Sequence, residues 1–214
     1  MPQSSFFSVT PIWNNVENIF DCLTILDNFV DKLIICEGKW IGYEGDLRST
    51  DGTLDEIVRF IKGAKHEVIF MMLPRPMHQY EVRNLMVDKV PTDSWFIIVD
   101  SDEVIVKYPK YPIINELLKL NTKGRCILAY DETQGENCEG QLMDLPKIWH
   151  KVDGLHYTKN HRYLDVGDTP IIYNPKDFPA CRDFVCMHKG AHKATRQQAE
   201  DYKNWLINFE YDKI

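Results

Sequence analysis

Short apolar runs alternate with stretches of helical spacing through the first half of the chain. "FFSVTPI" (6–12) reads as a buried strand. In "NVENIFDCLTILDNFV" (15–30), Val16, Ile19, Phe20, Leu23, Leu26 and Phe29 recur at helical spacing and predict a helix with one apolar face. "DKLIICEG" follows as a second strand, and "DGTLDEIVRFIKG" as a helix that stops at Gly63. "HEVIFMML" is a third strand, "YEVRNLMVDKV" a third helix and "WFIIVDSDEV" (95–104) a fourth strand. This alternation predicts an α/β fold: a mostly parallel central sheet with helices on its faces.

The second half is less regular. "YPIINELLKL" (111–120) predicts a helix and "GRCILAY" (124–130) a strand. "LPKIWHKVDGLHY" (145–157), "DTPIIY" (168–173) and "DFVCMH" (183–188) read as further, aromatic-rich strands, which makes this half a mixed-sheet extension. In the tail (194–214), Tyr202, Trp205, Leu206 and Phe209 form an apolar helical stripe. No repeat, low-complexity tract or linker divides the chain, so 1–214 is expected to be one domain with halves 1–105 and 106–214.

Open parallel sheets bind ligands beyond the carboxyl ends of their strands. Those ends read "TPIWNN", "CEG" and "VDSDE". The last packs Asp100, Asp102 and Glu103 together, and like charges that close repel unless a positive charge sits among them. A hard divalent cation, Mg²⁺ or Mn²⁺, takes carboxylate oxygens and keeps places for water or phosphate. Asp100 and Asp102 would share a face of a continuing strand, or reach one ion from a tight turn. A solvated acidic turn is the plainer alternative.

Charge narrows the field. A formal net charge of −7 argues against nucleic acid as a partner, since no surplus of Lys and Arg faces phosphates. No run approaches the roughly 18 to 20 apolar residues of a membrane span. The start "MPQSSFFSVTPIW" lacks a basic, then apolar, secretory leader. The six cysteines contain no C-x-x-C pair and lie mostly in apolar runs, which favours reduced, buried thiols. A cytoplasmic enzyme without a transmembrane segment is the expectation.

"DSDEV" resembles the D-x-D-x-[TV] string of haloacid dehalogenase-like phosphatases, a resemblance that would make Asp100 a phosphoryl-accepting nucleophile. Their motif opens the domain, whereas here about a hundred residues precede it. A broader resemblance, over residues 8–105, is to the family 2 glycosyltransferases and their GT-A relatives. "TPIWNNVENIFDCLTIL", "VDKLIICEG", "STDGTLDEI" and "YEVRNLMVDKVPTDSWFIIVDSDE" are similar to that family's blocks, in its order. An inserted "GKWIGYEGDLR" between Glu37 and Ser49 departs from it; such a loop could cover the donor, line the acceptor site, or be a surface hairpin. Sugar-1-phosphate nucleotidyltransferases share a related sheet, but their Gly-x-Gly-Thr-Arg start is missing here.

The glycosyltransferase resemblance implies a nucleotide-binding half (1–105) and an acceptor-side half (106–214). It implies Pro11 and Trp13 at the nucleotide base, Glu37 and Asp51 at base or ribose, and Arg83 at sugar or phosphate, with an ion pair between Arg83 and a strand-end acid as the plainer alternative. Asp100 and Asp102 would hold Mn²⁺ or Mg²⁺ against the diphosphate of a UDP- or GDP-sugar. "LPKIWHKVDGLHYTKNHRYLDVGDTPIIY" resembles the later segment of core-oligosaccharide transferases, where a His-Glu pair supplies the base of an inverting reaction. Here the pair is His161–Arg162, so either a nearby acid such as Asp165, with His161, is the catalytic group, or the reaction is not the usual inverting displacement. "VCMHKGAHKATRQQAEDY" resembles the closing segment, with His188 as a metal or diphosphate contact. Lys189, His192, Lys193 and Arg196 form a basic cluster suited to a leaving diphosphate. The implied activity is sugar transfer to a hydroxyl of a saccharide or glycoconjugate. A non-catalytic nucleotide-sugar-binding module is the alternative outside the enzymes.

Overall fold

Every residue of Phe6–Ile12 is buried, because this strand (β1) has apolar layers on both of its faces. The computed structural model describes residues 5–107, 126–133, 141–157, 164–166 and 180–188. Helix α1 (Val16–Leu26) follows β1, then β2 (Lys32–Glu37), α2 (Thr53–Gly63), β3 (Glu67–Met72), α3 (Gln79–Val87) and β4 (Trp95–Ile98). The described remainder holds β5 (Glu103–Lys107), β6 (Cys126–Thr133), β7 (Gln141–His150), β8 (Leu155–Tyr157), β9 (Leu164–Val166) and β10 (Ala180–His188).

The main sheet runs β3-β2-β1-β4-β7-β6-β10-β5. Its first four strands are parallel, while β7 is antiparallel to both β4 and β6, as β5 is to β10. The chain therefore has the expected α/β fold, a largely parallel sheet flanked by helices and extended by mixed strands. β8 and β9 form a separate two-stranded sheet. Among the described residues, no helix is long and apolar enough to cross a membrane.

Strand alternation sorts β1 between two core layers. Phe6 and Ile12 meet Ile19, Leu23 and Leu26 of α1 with Ile57 and Phe60 of α2. Phe7 and Val9 meet Val82 and Met86 of α3 with Trp149, Leu155, Tyr157 and Leu164. Asp27, just past α1, accepts the backbone N–H groups of Lys65 and His66 at 2.8 and 3.1 Å, so the end of α1 is tied to the start of β3.

One expected element divides. The strand predicted over 95–104 ends at Ile98, and Glu103 opens β5 at the far edge of the sheet. The physical cause is a closed turn: Glu103 N–H donates to the Asp100 carbonyl at 2.9 Å, while Asp100 N–H donates to Glu103 Oε2 at 2.9 Å. The predicted helices at 111–120 and 194–214 and the strand at 168–173 lie outside the described residues.

Candidate functional site

The order β3-β2-β1-β4 places the two strands that follow β1 in sequence order, β2 and β3, on one side of it and β4 on the other. In open α/β sheets a ligand sits beyond the carboxyl ends of the strands, where the strand order reverses; here that is past β1 and β4. Trp13 follows β1 and Asp100 and Asp102 follow β4, while Asp51 and Arg83 bond to those two segments.

The turn from β1 into α1 is stitched to residues 49–53. Asn14, at φ 46°, donates its N–H to Ser49 Oγ (2.9 Å), Asn15 to Thr53 Oγ1 (2.7 Å) and Val16 to Asp51 Oδ2 (3.1 Å). These N–H groups would otherwise be unmet at a helix start. Asp51 also accepts Thr53 N–H at 3.1 Å and the Thr53 hydroxyl at 2.5 Å. Burial pushes the Asp51 carboxyl up, but the hydrogen bonds from Thr53 and Val16 push it further down, so it sits below its ordinary 3.8. Its carboxylate is thus employed in capping, although Asp51 remains exposed.

Glu37 differs from Asp51 in being fully buried. Its Oε1 accepts Ser49 N–H at 2.7 Å, and Arg48 approaches Oε2 at 3.4 Å while donating to the Leu73 carbonyl at 2.6 Å. Glu37 therefore holds the inserted loop down, and in this conformation it presents no surface to a base or ribose. Arg48 is a residue that sequence reasoning passed over. The same loop builds an aromatic group: Tyr43 meets Trp13 edge-on at 5.7 Å and Trp40 edge-on at 5.5 Å. Trp13 Nε1 donates to the Asp46 carbonyl at 3.2 Å, so the ring is fixed in place beside the end of β1. Pro11 is buried within β1, paired with Cys36.

The acidic turn carries its own counter-charges. Arg83, buried on α3, donates to both carboxylate oxygens of Asp100 at 2.7 and 2.6 Å. Burial alone would lower its pKa; the Asp100 charge, with Tyr157 and Glu103, raises it further than burial lowers it, so the guanidinium stays charged. Lys147 of β7 pairs with Glu103 Oε1, and both side chains are buried. Arg83 also lies over the Tyr157 ring at 5.6 Å, and its neighbour Asn84 bonds the backbone of the same residue. Lys147, Asn84 and Tyr157 were missed from sequence. For Lys147 a signal existed, a lysine inside the apolar strand "LPKIW".

The remaining expected residues fall in two groups. His188 ends β10 in register with Glu103, which brings its backbone to the acidic turn, and Asp165 lies in β9 across from His156. His161, Lys189, His192, Lys193 and Arg196 lie outside the described residues. Among the described residues, no group of three or more His, Cys, Asp or Glu side chains is arranged to hold a metal ion. What the turn offers is two carboxylates, Asp100 and Asp102. Carboxylates are the donors that Mg²⁺ and Mn²⁺ take, commonly one or two with substrate phosphates, and here both oxygens of Asp100 already accept Arg83.

No protein-family model matches the chain, and no curated protein matches it in sequence. Among solved structures, S. aureus TarS covers 98% of this chain at 12% identity with a TM-score of 0.54, and 40% of the TarS chain is matched. TarS 1–349 in complex with UDP covers 64% at 18% identity, with 38% of that chain matched and a TM-score of 0.43. Mannose-6-phosphate isomerase from Helicobacter pylori covers 62% at 15% identity, with 52% of that chain matched and a TM-score of 0.40. The likeness to TarS over 98% of this chain shows the fold, a GT-A arrangement, and this chain spans about two-fifths of the length of that one.

Proposed function

We propose that the chain is a nucleotide-sugar-dependent glycosyltransferase, cytoplasmic, that moves a sugar from a UDP- or GDP-sugar to a hydroxyl of a saccharide or glycoconjugate. One observation carries the reading: a turn bearing Asp100 and Asp102, clamped by Arg83, stands at the switch point of a GT-A sheet. In this reading Asp100 and Asp102, with His188, hold Mn²⁺ or Mg²⁺. The bound ion supplies positive charge to the departing diphosphate.

The protein's own groups then have distinct tasks. Arg83 fixes the carboxylate of Asp100, and Glu103 with Lys147 fixes the backbone of the turn beneath it. Trp13 offers a ring edge or face to the base, and Asp51 holds the turn that carries Trp13. Lys189 and Arg196 meet the diphosphate. Asp165, assisted by His161, accepts the proton of the attacking acceptor hydroxyl.

A non-catalytic nucleotide-sugar-binding module is favoured by one feature, Arg162 where the resembling transferases carry a carboxylate. The GT-A fold favours the transferase over the phosphatase alternative. Thermal melting with UDP or GDP and Mn²⁺ tests donor binding, with a shift of several degrees expected and lost in Asp102→Ala. No shift with any nucleotide–metal pair would end the proposal. A shift without turnover of a donor sugar would select the binding module.

A further inference from the structure

The β8–β9 hairpin is outside the main sheet; beside its apolar packing on Val82 and Met86 of α3, two consecutive residues of that helix make polar contacts with it. The Asn84 side-chain amide donates to the Tyr157 carbonyl at 2.8 Å and accepts the Tyr157 N–H at 2.6 Å. It thereby satisfies both backbone groups of one hairpin residue, as a neighbouring strand would. Arg83, one position earlier, holds Asp100 through both oxygens and covers the ring of that same Tyr157. Tyr157 pairs with Leu164, both nearly inaccessible, and the next register position sets His156 against Asp165.

We infer that Asn84 and Tyr157 are positioning residues that hinge the β8–β9 hairpin on α3, and that Arg83 couples this hinge to the charge on Asp100. Under the transferase reading, on which this second half rests, arrival of the donor at the acidic turn draws on Asp100 and alters the hold of Arg83 on Tyr157. The hairpin carrying Asp165 then responds to donor loading, so acceptor activation is tied to a filled donor site. The attachment itself is independent of that reading, because it is made of contacts already present between Asn84 and the Tyr157 backbone and between Arg83 and the Tyr157 ring.

Hydrogen exchange on the full chain tests both parts through the amides of 155–157 and 164–166, with β1 and β2 amides as the internal reference. Asn84→Ala is expected to speed hairpin exchange about tenfold, from the loss of two hydrogen bonds, while the reference amides stay unchanged. Asn84→Asp, which keeps the acceptor for Tyr157 N–H, is expected to recover part of that protection. Asp100→Asn weakens the hold on Arg83 without any ligand and is expected to speed the hairpin about threefold. Unchanged hairpin exchange in Asn84→Ala overturns the hinge, and unchanged exchange in Asp100→Asn overturns the coupling. If UDP with Mn²⁺ shifts the melting of wild type but not its hairpin exchange, the donor response fails while the transferase reading stands. If no pairing of UDP or GDP with Mn²⁺ shifts melting, the transferase reading fails, and the two variants still decide the hinge and the coupling.

Discussion

Replacing Lys147 by methionine isolates what the buried pair beneath the acidic turn contributes. Lys147 and Glu103 are 8% and 2% exposed, so neither charge is well served by water. Lys147→Met keeps the aliphatic stem but leaves the Glu103 carboxylate buried with its Asp100 N–H bond and without this cation. Removing one partner of a buried pair costs about 3–5 kcal/mol. In a chain of 214 residues each kcal/mol lowers Tm by about 2–4 °C, so the expected drop is about 6–20 °C. The double variant Lys147→Met/Glu103→Gln removes both charges, yet the amide oxygen it places there can still accept Asp100 N–H. It is expected to recover most of the loss, to within about 2 kcal/mol of wild type. Calorimetric melting of the three proteins at pH 7 reads the comparison. A Lys147→Met protein that melts within about 2 °C of wild type would refute the reasoning. So would a double variant no more stable than the single one, since the cost would then not come from a carboxylate that has lost its buried lysine.

Three further outcomes follow from local geometry. Gly38→Ala is expected to destabilise by about 1–3 kcal/mol, because φ is +148° and the new Cβ would stand 2.7 Å from Leu73 Cβ; urea unfolding measures it, and an unchanged midpoint contradicts it. Asp51→Ala removes a cap shared by α1 and α2, expected to cost about 1 kcal/mol near neutral pH. Because the folded-state pKa of Asp51 lies below 3.8, the stabilisation is present above that value and is lost as pH falls through the folded one. The gap in Tm between wild type and variant should accordingly close in acid, and a gap that widens there would be wrong in sign. Cys36 is expected to resist iodoacetamide at about pH 8 until denaturant is added. Burial pushes its thiol up to about 12, with the Glu37 charge adding and Arg48 opposing. Labelling of the Cys36 peptide in native protein, read by mass spectrometry, would count against this.

The periodic parts of the chain were legible because burial on both faces leaves an unbroken apolar signature. β1 is "FFSVTPI" itself, and α2 ends at Gly63 as its sequence predicts. What stayed hidden depends on partners distant in sequence. The break after Ile98 needs Glu103 to fold back on Asp100, and this is stabilised by a lysine 44 residues further on. The burial of Glu37 follows from Arg48 in a loop whose spacing resembles nothing periodic. The S-x-D-G-T block was visible as a motif, but not its task of capping the backbone of residues 14–16. Side-chain pairings of this kind are set by where the sheet brings strands together, and strand order is not written in spacing.

The crowding of carboxylates at residues 100–103 can now be weighed differently. Repulsion alone suggested an ion, yet Arg83 and Lys147 already meet the charges of Asp100 and Glu103. Crowding is therefore accounted for by the protein's own cations, and a case for a divalent ion must rest on position and donor chemistry instead. Position favours it, because the turn stands at the switch point and His188 ends its strand in register with Glu103. The two cations also serve such a site. With the backbone held by Glu103 and one carboxylate held by Arg83, the turn is shaped before a ligand arrives, and little ordering cost remains for binding. It follows that Arg83→Met should weaken Mn²⁺-dependent nucleotide binding even though it removes a positive charge from beside the ion. Charge repulsion alone predicts the reverse, tighter metal binding, and titration of Mn²⁺ into the two proteins distinguishes them.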